Sequence, residues 1–473
     1  MTQSATELND AHLEAIRAWY DGKPDERTWA STGYRVMLAH YYGRLIPSHA
    51  SVLEVGCGSG ELLGRLLARR RVGVDLSEAQ VAVARKNHPE CEFHVQAAEA
   101  LQLDERFDFI VISDTLNFAA DVQRVLERLH RVSHPGTRLL INFPSALWRP
   151  AFALARLLGL KPAEPQSSWL ASSDLRGLLG LSDWEPLVVQ PRILLPVSAL
   201  GIGGWVNRWI APLLPWSNMT VFMVARSSRS RETGPLTVSV VIPARNEAGN
   251  IEAAVRRTPD MGAGTELIFV EGHSRDNTWE EIQRVSRENP GRRIKILQQS
   301  GKGKGDAVRA GFAAAEGDLF MILDADLTVP PEEMPKFYEA VVSGRAEFAN
   351  GSRLVYPMEK AAMRFLNMCA NKTFGVLFTR ILGQPLKDTL CGTKVLRRAD
   401  YERIVAGREF FGDFDPFGDF DLLFGAARLN LKIVDIPVRY RDRTYGTTNI
   451  QRWRHGWLLL RMVVFAARKI KFV

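Results

Sequence analysis

The stretch Ser51-Val-Leu-Glu54-Val-Gly56-Cys-Gly58-Ser-Gly60-Glu61 decides how the first half of the chain reads. A β-prone run enters three glycines spaced GxGxG. Glycine lets the backbone turn sharply from strand to helix and approach a ligand closely. A dinucleotide fingerprint would put its third glycine at position 61, where Glu61 stands, and an acid at that helix start would repel a pyrophosphate. The segment therefore reads as strand, glycine turn and helix, with a spacing that departs from the dinucleotide fingerprint.

Outward from it, further strands are expected at 71–75, 92–95, 108–112 and 138–142, separated by helical patterns at 61–69, 78–87 and 121–131. A helix near 172–179 and strands at 185–190 and 219–225 follow. Parallel strands need such crossovers, so the fold class is α/β with a doubly wound sheet. Asp75 ends the second strand, where a carboxylate can hold a ribose diol. Ala98-Glu99 follows strand three, and Ser113-Asp114 ends strand four. Polar groups thus converge on the carboxyl edge of the sheet, where open α/β sheets bind ligands.

This region, through about residue 225, resembles the class I S-adenosylmethionine-dependent methyltransferases, whose first motif has the form acid-x-Gly-x-Gly-x-Gly. The resemblance implies that Glu54, Gly56 and Gly58, with Gly60, serve the methionine portion of S-adenosyl-L-methionine. It implies that Asp75 holds the ribose and that Ala98 and Glu99 flank the adenine, with Asp114 beside them. Asp114, His130 and His134 are candidates for a base, although the histidines also read as ordinary helix-end residues. Residues 1–45 are expected to be helical, either packed on the domain or forming a lid over this site.

Residues 227–235, SSRSRETGP, have linker composition and separate an expected first domain, 1–226, from a second, 236–473. The second opens with a strand at 236–242 that runs into Pro243-Ala244-Arg245-Asn246-Glu247, and further strands are expected at 266–270, 293–297 and 318–323. Strand two ends at Glu271, followed by Gly272 and His273. The loop Gly301-Lys302-Gly-Lys304-Gly305-Asp306 is cationic but lacks P-loop spacing. After the next apolar strand comes Leu323-Asp324-Ala-Asp326. Alternate residues of an extended segment point the same way, so these acids repel unless a hard cation, Mg2+ or Mn2+, sits between them and a diphosphate.

Residues 236 to about 450 resemble family 2 glycosyltransferases of the GT-A fold, and among them the dolichyl-phosphate mannose synthases and polyprenyl-phosphate glycosyltransferases. The resemblance runs through the strand-PxxNE opening, Ser274-x-Asp276-x-Thr278-Trp279, the DxD, Gly351-Ser352-Arg353, Asp388 with Cys391-Gly392, and Arg443-x-x-Gly446. It implies a nucleotide-sugar donor held by Pro243, Ala244, Arg245, Glu247, Glu271, Asp306 and Asp324. It implies a metal on Asp324 and Asp326, and Arg353 and Arg443 on phosphate charges. Glu271 stands where the family commonly has Asp, Thr328 where the mannose synthases have Gln, and Asn449 where Lys is frequent. Asp419, in an acidic and aromatic segment at 411–421, is either a base on the acceptor side or part of a packing loop. The QRWRH segment at 451–455 differs from the QxxRW motif of processive polymerases, because His455 replaces its tryptophan.

Two functional readings follow. In the first the protein is a bifunctional enzyme, with metal-dependent, inverting sugar transfer to a polyprenyl phosphate and methylation in the same glycan or glycolipid pathway. In the second it glycosylates a sugar hydroxyl of a glycan or glycolipid, and the first domain is a non-catalytic cofactor-binding or docking module.

The 473 residues fit two or three domains, and an apolar share of 46% with 24% charged residues excludes global disorder. Cys57, Cys91, Cys369 and Cys391 form no CxxC pair, and the polar start MTQSATELND lacks signal-peptide character, so a cytoplasmic location is expected. No run reaches the roughly 20 apolar residues of a spanning helix; the nearest, 193–216, reads as soluble or interfacial. Of the net charge of +8, the stretch 441–473 holds eight Lys/Arg against Asp442 alone. Within it, 457–472 mixes an apolar face with cations, which predicts either peripheral attachment to an anionic membrane surface, on its cytoplasmic face, or a helix docked on its own domain. No nucleic-acid recognition motif accompanies the charge.

Overall fold

The computed structural model describes residues 5–23, 29–159, 165, 167–196, 201–229, 234–357, 365–410, 420–443, 445 and 452–472. Two compact units, Met1–Arg229 and Ser230–Lys471, divide the chain. Residues 230–233 of the expected linker lie outside the described residues.

In the first unit, α1 (Ala5–Asp21) and α2 (Trp29–Leu45) precede β1 (Ser51–Val55), α3 (Glu61–Arg65), β2 (Arg70–Asp75), α4 (Glu78–Asn87) and β3 (Glu92–Val95). Next come β4 (Phe107–Ser113), α5 (Val122–Leu129), β5 (Ser133–Pro144), α6 (Arg149–Leu157) and α7 (Ser172–Leu181). β6 (Trp184–Ile193), α8 (Ile202–Trp209) and β7 (Thr220–Ser227) complete the unit. The sheet order is β3-β2-β1-β4-β5-β7-β6. The first five strands run parallel, and β7 lies antiparallel between β5 and β6. Alternate residues feed two cores: Val52, Val111 and Leu140 face one layer, and Leu53, Ile110, Ile112 and Ile141 the other.

Local chemistry sets the boundaries. Ser77 and Asp121 cap α4 and α5 by accepting from the amides of Gln80 and Arg124. The helix expected at 61–69 stops at Arg65 because Leu66 turns extended, and the Arg71 guanidinium donates to the freed carbonyls of Gly64 and Leu66 at 3.2 and 3.1 Å. Sequence reasoning missed α6 and α8, whose apolar residues largely stay outside the core.

The second unit contains β8 (Val238–Ala244), α9 (Ile251–Arg257), β9 (Thr265–Glu271), α10 (Thr278–Glu288), β10 (Arg293–Gln298), α11 (Lys304–Ala314) and β11 (Leu319–Ile322). α12 (Met334–Val342), β12 (Phe348–Ser352), α13 (Phe365–Leu382), β13 (Lys394–Arg397), α14 (Arg398–Ala406), α15 (Phe420–Arg428), β14 (Ile433–Pro437) and α16 (Arg452–Ala466) follow. Its sheet order is β10-β9-β8-β11-β13-β12-β14. β13 is antiparallel to both of its neighbours, β11 and β12. The last three strands are absent from the sequence reading: they are short, and β12 contains a glycine and β13 a fully buried lysine.

For the tail, the alternatives separate by face. Leu459, Met462, Val463 and Ala466 of α16 are buried in the second unit's core. Trp457, Leu460, Arg461, Val464 and Arg468 remain exposed. The apolar side that the sequence offers to a membrane is thus largely used in packing. Among the described residues no helix is long and apolar enough to cross a membrane.

Candidate active sites

At the carboxyl edge of the first sheet, a cavity of about 340 Å³ is lined by Glu54, Gly56, Gly58, Asp75, Ala98, Glu99 and Asp114, among others. Gly56 and Gly58 adopt positive φ, and a Cβ on Gly56 would come within 2.3 Å of the Thr115 side chain. The Gly58 amide donates to Asp75 Oδ2 at 2.7 Å, and the Ser77 amide donates to Oδ1 at 2.9 Å. The glycine turn and the tip of β2 therefore position each other. Glu99 accepts from the Ala120 amide at 2.9 Å. Gly60 lies off the cavity: its φ is +74°, and a Cβ would press on the Phe93 ring at 2.8 Å, so it serves the turn and its packing.

Glu54 is 3% exposed, and its Oε2 is buried without a hydrogen-bond partner. Burial pushes its carboxyl up to about 8, against the pull of Arg35 and with the push of Asp75. An orphaned carboxylate oxygen beside a cavity is suited to a ligand with positive charge or N–H donors, and S-adenosylmethionine carries both. The residues present fit that cofactor.

α1 and α2 contribute Leu13, Ile16 and Tyr20, and Tyr34, Arg35 and Leu38, to the same wall. The lid and packing alternatives for residues 1–45 thus merge in one pair of helices. The Tyr34 hydroxyl donates to Asp114 Oδ2 at 3.1 Å and lies 3.0 Å from Thr220 Oγ1. Asn142 Nδ2 donates to Asp114 Oδ1 at 2.8 Å, and Tyr42 donates to Asn142 Oδ1 at 2.7 Å. Burial, then the Asp114 charge, pushes the Tyr34 phenol well above its ordinary value, so it keeps its proton. Asp114 is therefore a held acceptor at the cavity wall. Sequence reasoning did not connect Tyr34, Tyr42, Asn142 and Thr220; their separations of 28 to 186 residues carry no local signal.

The two histidines sit elsewhere. His130 stacks on Trp184 at 4.6 Å, with Nε2 2.7 Å from the Ser182 carbonyl. His134 Nε2 lies 3.1 Å from Asp108, which also accepts from Ser51, the first residue of β1. Neither lines the cavity.

In the second unit the acids again follow strand ends. Asp324 Oδ1 lies 2.6 Å from Lys304 Nζ, at the start of α11. Burial alone would raise the Asp324 carboxyl, but Lys304, then Arg353 and Lys394, hold it below the usual carboxylate range. A Cβ on Gly392 would fall 2.1 Å from Asp324 Oδ2, so this position admits only glycine beside the carboxylate. Asp326 Oδ1 accepts from the Thr328 hydroxyl at 2.9 Å, and Oδ2 accepts from Arg443 at 2.6 Å. Arg443 also donates to Glu247 Oε1 at 3.1 Å, bridging the turn after β8 to the DxD. Two carboxylates with hard oxygens, one against a glycine cradle, fit a divalent cation.

The motif Ser274, Asp276 and Thr278 proves to be a clamp. Ser274 Oγ accepts from the Asn246 amide at 3.0 Å, Thr278 Oγ1 accepts from the Glu247 amide at 2.9 Å, and Asp276 accepts from Thr278. Asn246 itself has a φ of +56°. Glu271 accepts from the Ser274 amide at 2.5 Å and sits at the tip of β9. Pro243 and Ala244 end β8, and Arg245 is exposed in the turn that follows. Asp306 accepts from the Gly301 amide at 3.0 Å and so holds the cationic loop.

Arg353, largely buried, forms a two-pronged pair with Asp388, donating from Nε at 2.7 Å and from a terminal nitrogen at 2.9 Å. The Asp388 carboxyl is 0% exposed and is held down to about 2, where Arg353 outweighs burial. Its sequence assignment to phosphate charges thus meets a competing partner, and Arg353 reaches the DxD through its field on Asp324. Asp419 lies outside the described residues, as does Gly446. Lys394, fully buried and donating to Asn350 and the Cys391 carbonyl at 2.9 and 2.7 Å, is a charge that sequence reasoning missed.

Residues 239–405 match the family model "Glycosyl transferase family 2", and residues 53–141 match "Methyltransferase domain". The chain is 31% identical over 252 residues to a dolichol-phosphate mannosyltransferase of Pyrococcus furiosus, covering 50% of this chain and 67% of that protein. The chain belongs to glycosyl transferase family 2. It is a glycosyltransferase fused to a methyltransferase domain, in two α/β folds. An undecaprenyl-phosphate 4-deoxy-4-formamido-L-arabinose transferase of Pseudomonas aeruginosa is 31% identical over 228 residues, covering 46% of this chain. This family 2 chain spans 61% of that relative's length. Among solved structures, a SAM-dependent methyltransferase of Thermotoga maritima aligns over 46% of this chain and 99% of its own, at 21% identity and a TM-score of 0.34. A glucosyl-3-phosphoglycerate synthase of Mycobacterium tuberculosis, with Mn2+ and UDP, aligns over 50% of this chain and 80% of its own, at 19% identity and a TM-score of 0.37.

Proposed function

We propose that residues 236–473 transfer a sugar, with inversion, from a nucleotide-sugar donor to a polyprenyl phosphate. The observation that carries this reading is the constellation Asp324–Lys304 and Asp326–Arg443–Glu247 at one sheet edge. Three carboxylates there face two cations, so a diphosphate arriving alone would add unbalanced negative charge. A divalent cation on Asp324 and Asp326, when bound, supplies Lewis-acid stabilisation of the leaving diphosphate. Arg443 and Lys304 orient the carboxylates and offer N–H donors to phosphate oxygens. Pro243, Ala244, Arg245, Glu247 and Glu271 form the nucleoside side, with Asp306 shaping its loop. A phosphate acceptor is already anionic, so no strong base is required. The names of the curated relatives, dolichol-phosphate and undecaprenyl-phosphate transferases, favour this acceptor over a sugar hydroxyl.

Residues 1–226, joined through a linker at 227–235, bind S-adenosylmethionine through Glu54, Gly56, Gly58, Asp75, Ala98 and Glu99 and methylate a component of the same pathway. The exposed stripe of α16, with Arg468, Lys469 and Lys471 just beyond it, rests on the anionic cytoplasmic face of the membrane that holds the lipid acceptor. The test is sugar transfer from radiolabelled donor mixtures to a polyprenyl phosphate. Asp326→Asn is expected to abolish it, and undiminished turnover would sink the assignment. Deleting residues 456–473 is expected to lower flotation with anionic liposomes; equal flotation removes the tail from the reading.

A further inference from the structure

The first unit carries apolar side chains that its own core does not use. α6 has no buried residue, although its sequence is RPAFALARL. Leu147, Leu154, Leu157 and Leu158, in and beside it, are exposed, Leu157 at 83%. A second set follows in and after α8: Ile202, Trp205, Leu213, Leu214 and Trp216 are exposed, the tryptophans at 58% and 70%. The two sets are neighbours. Trp148 Nε1, at the start of α6, donates to the Ser217 carbonyl at 2.9 Å, and the Ser145 amide donates to the Met219 carbonyl at 2.7 Å. Monomeric soluble proteins rarely leave so many large apolar side chains together in water.

The charge pattern says what covers them. No Asp or Glu occurs between Glu127 and Glu164, nor between Glu185 and Glu232. The charged residues within the two helices are all cations, Arg149, Arg156 and Arg208. Arg208 also lies close to His40 and Arg44 of α2, whose protonation is depressed by burial first and then by neighbouring positive charge, that of Arg208 included. Exposed tryptophan and leucine with arginine and without acids is the composition of an interfacial segment on an anionic bilayer. A water-facing protein interface would mix both signs of charge. The surface also adjoins the cofactor cavity: Thr220, three residues after Ser217, contacts the Tyr34 hydroxyl that bonds Asp114.

We propose that the first unit docks on an anionic lipid surface through α6 and residues 202–216, with Trp205, Leu213, Leu214 and Trp216 entering the headgroup region and Arg149, Arg156 and Arg208 facing lipid phosphates. This docking stands independently of the tail and of the sugar-transfer reading.

The test uses the full chain with Cys91→Ser and Cys369→Ser, carrying a single environment-sensitive fluorophore on Trp216→Cys or, as control, on Ser173→Cys of α7. It is mixed with phosphatidylcholine vesicles with or without phosphatidylglycerol, some containing nitroxide-labelled lipid. The expected result is a blue shift and nitroxide quenching at position 216 with anionic vesicles, and neither at position 173. Trp205→Ser with Trp216→Ser should lower flotation roughly tenfold or more relative to the parent chain. A position-216 label that stays in water while the protein floats overturns the proposal, as does failure of the parent chain to float. A blue shift without vesicles that grows with protein concentration assigns the surface to a second copy and also overturns it.

Discussion

The two sheet edges share an arrangement and differ in electrostatics. β3-β2-β1-β4 and β10-β9-β8-β11 have the same order, and Asp75 and Glu271 end corresponding strands, with Asp114 and Asp324 after the strand on the other side. In the first unit Glu54 is buried with an orphaned oxygen and pushed up to about 8. In the second, Asp324 is pushed below its usual range. The difference lies in counter-charges. Arg35 is the sole Lys or Arg among the described residues lining the first cavity. Lys304, Arg353, Lys394 and Arg443 surround the second pair of acids, and three of these four come from segments beyond the shared half-sheet. Topology therefore places the acids, and the cations brought in by those later segments decide whether a site suits a cation or an anion with its metal.

The largest effect is expected at Asp324. Asp324→Asn is expected to lower sugar transfer by about 10² to 10³ while S-adenosylmethionine binding by calorimetry stays unchanged. Loss of both would show that the sites are not separate. Next is the buried pair: Asp388→Ala leaves Arg353 without its partner and is expected to cost about 3–5 kcal/mol, read as denaturant unfolding of the second unit alone. A change below 1 kcal/mol, on the order of a surface pair, would contradict its burial.

Glu54 sharpens the contrast through pH. Its unfolded pKa is near 4.3, so between there and about 8 the folded unit holds a proton that the unfolded chain has released. Stability from this group is present at low pH and is lost as pH rises toward the folded value. Binding a cationic cofactor favours the ionised form and should release a proton near pH 7, measured by calorimetry in buffers of different ionisation enthalpy. Glu54→Gln is expected to weaken cofactor binding by about 10- to 100-fold, remove that proton release and flatten the stability profile. Proton uptake by the parent chain would reverse the assignment. The smallest effect is expected at His134→Asn, within about 1 kcal/mol of stability and without change in cofactor affinity, because its contact with Asp108 is partly exposed and away from the cavity.

Local chemistry alone determined the two α/β halves, the strand-tip acids and the glycine turn. Apolar runs with period-2 and 3.6 patterns, glycines at sharp turns and capping residues act over a few neighbours and are legible in order. The last strands of the second sheet escaped that reading because β13 has four residues and a buried lysine, which donates to the nearby Cys391 carbonyl and to Asn350, 44 residues away. The same holds for Arg353, whose family motif suggests phosphate and whose fold supplies Asp388, and for Tyr34, joined to Asp114 across 80 residues. Which carboxylate is paired, and so which is pushed up or down, depends on distances of a few ångströms between distant segments. Those distances exist only once the chain has folded, so tertiary structure alone decided the charge state of each site.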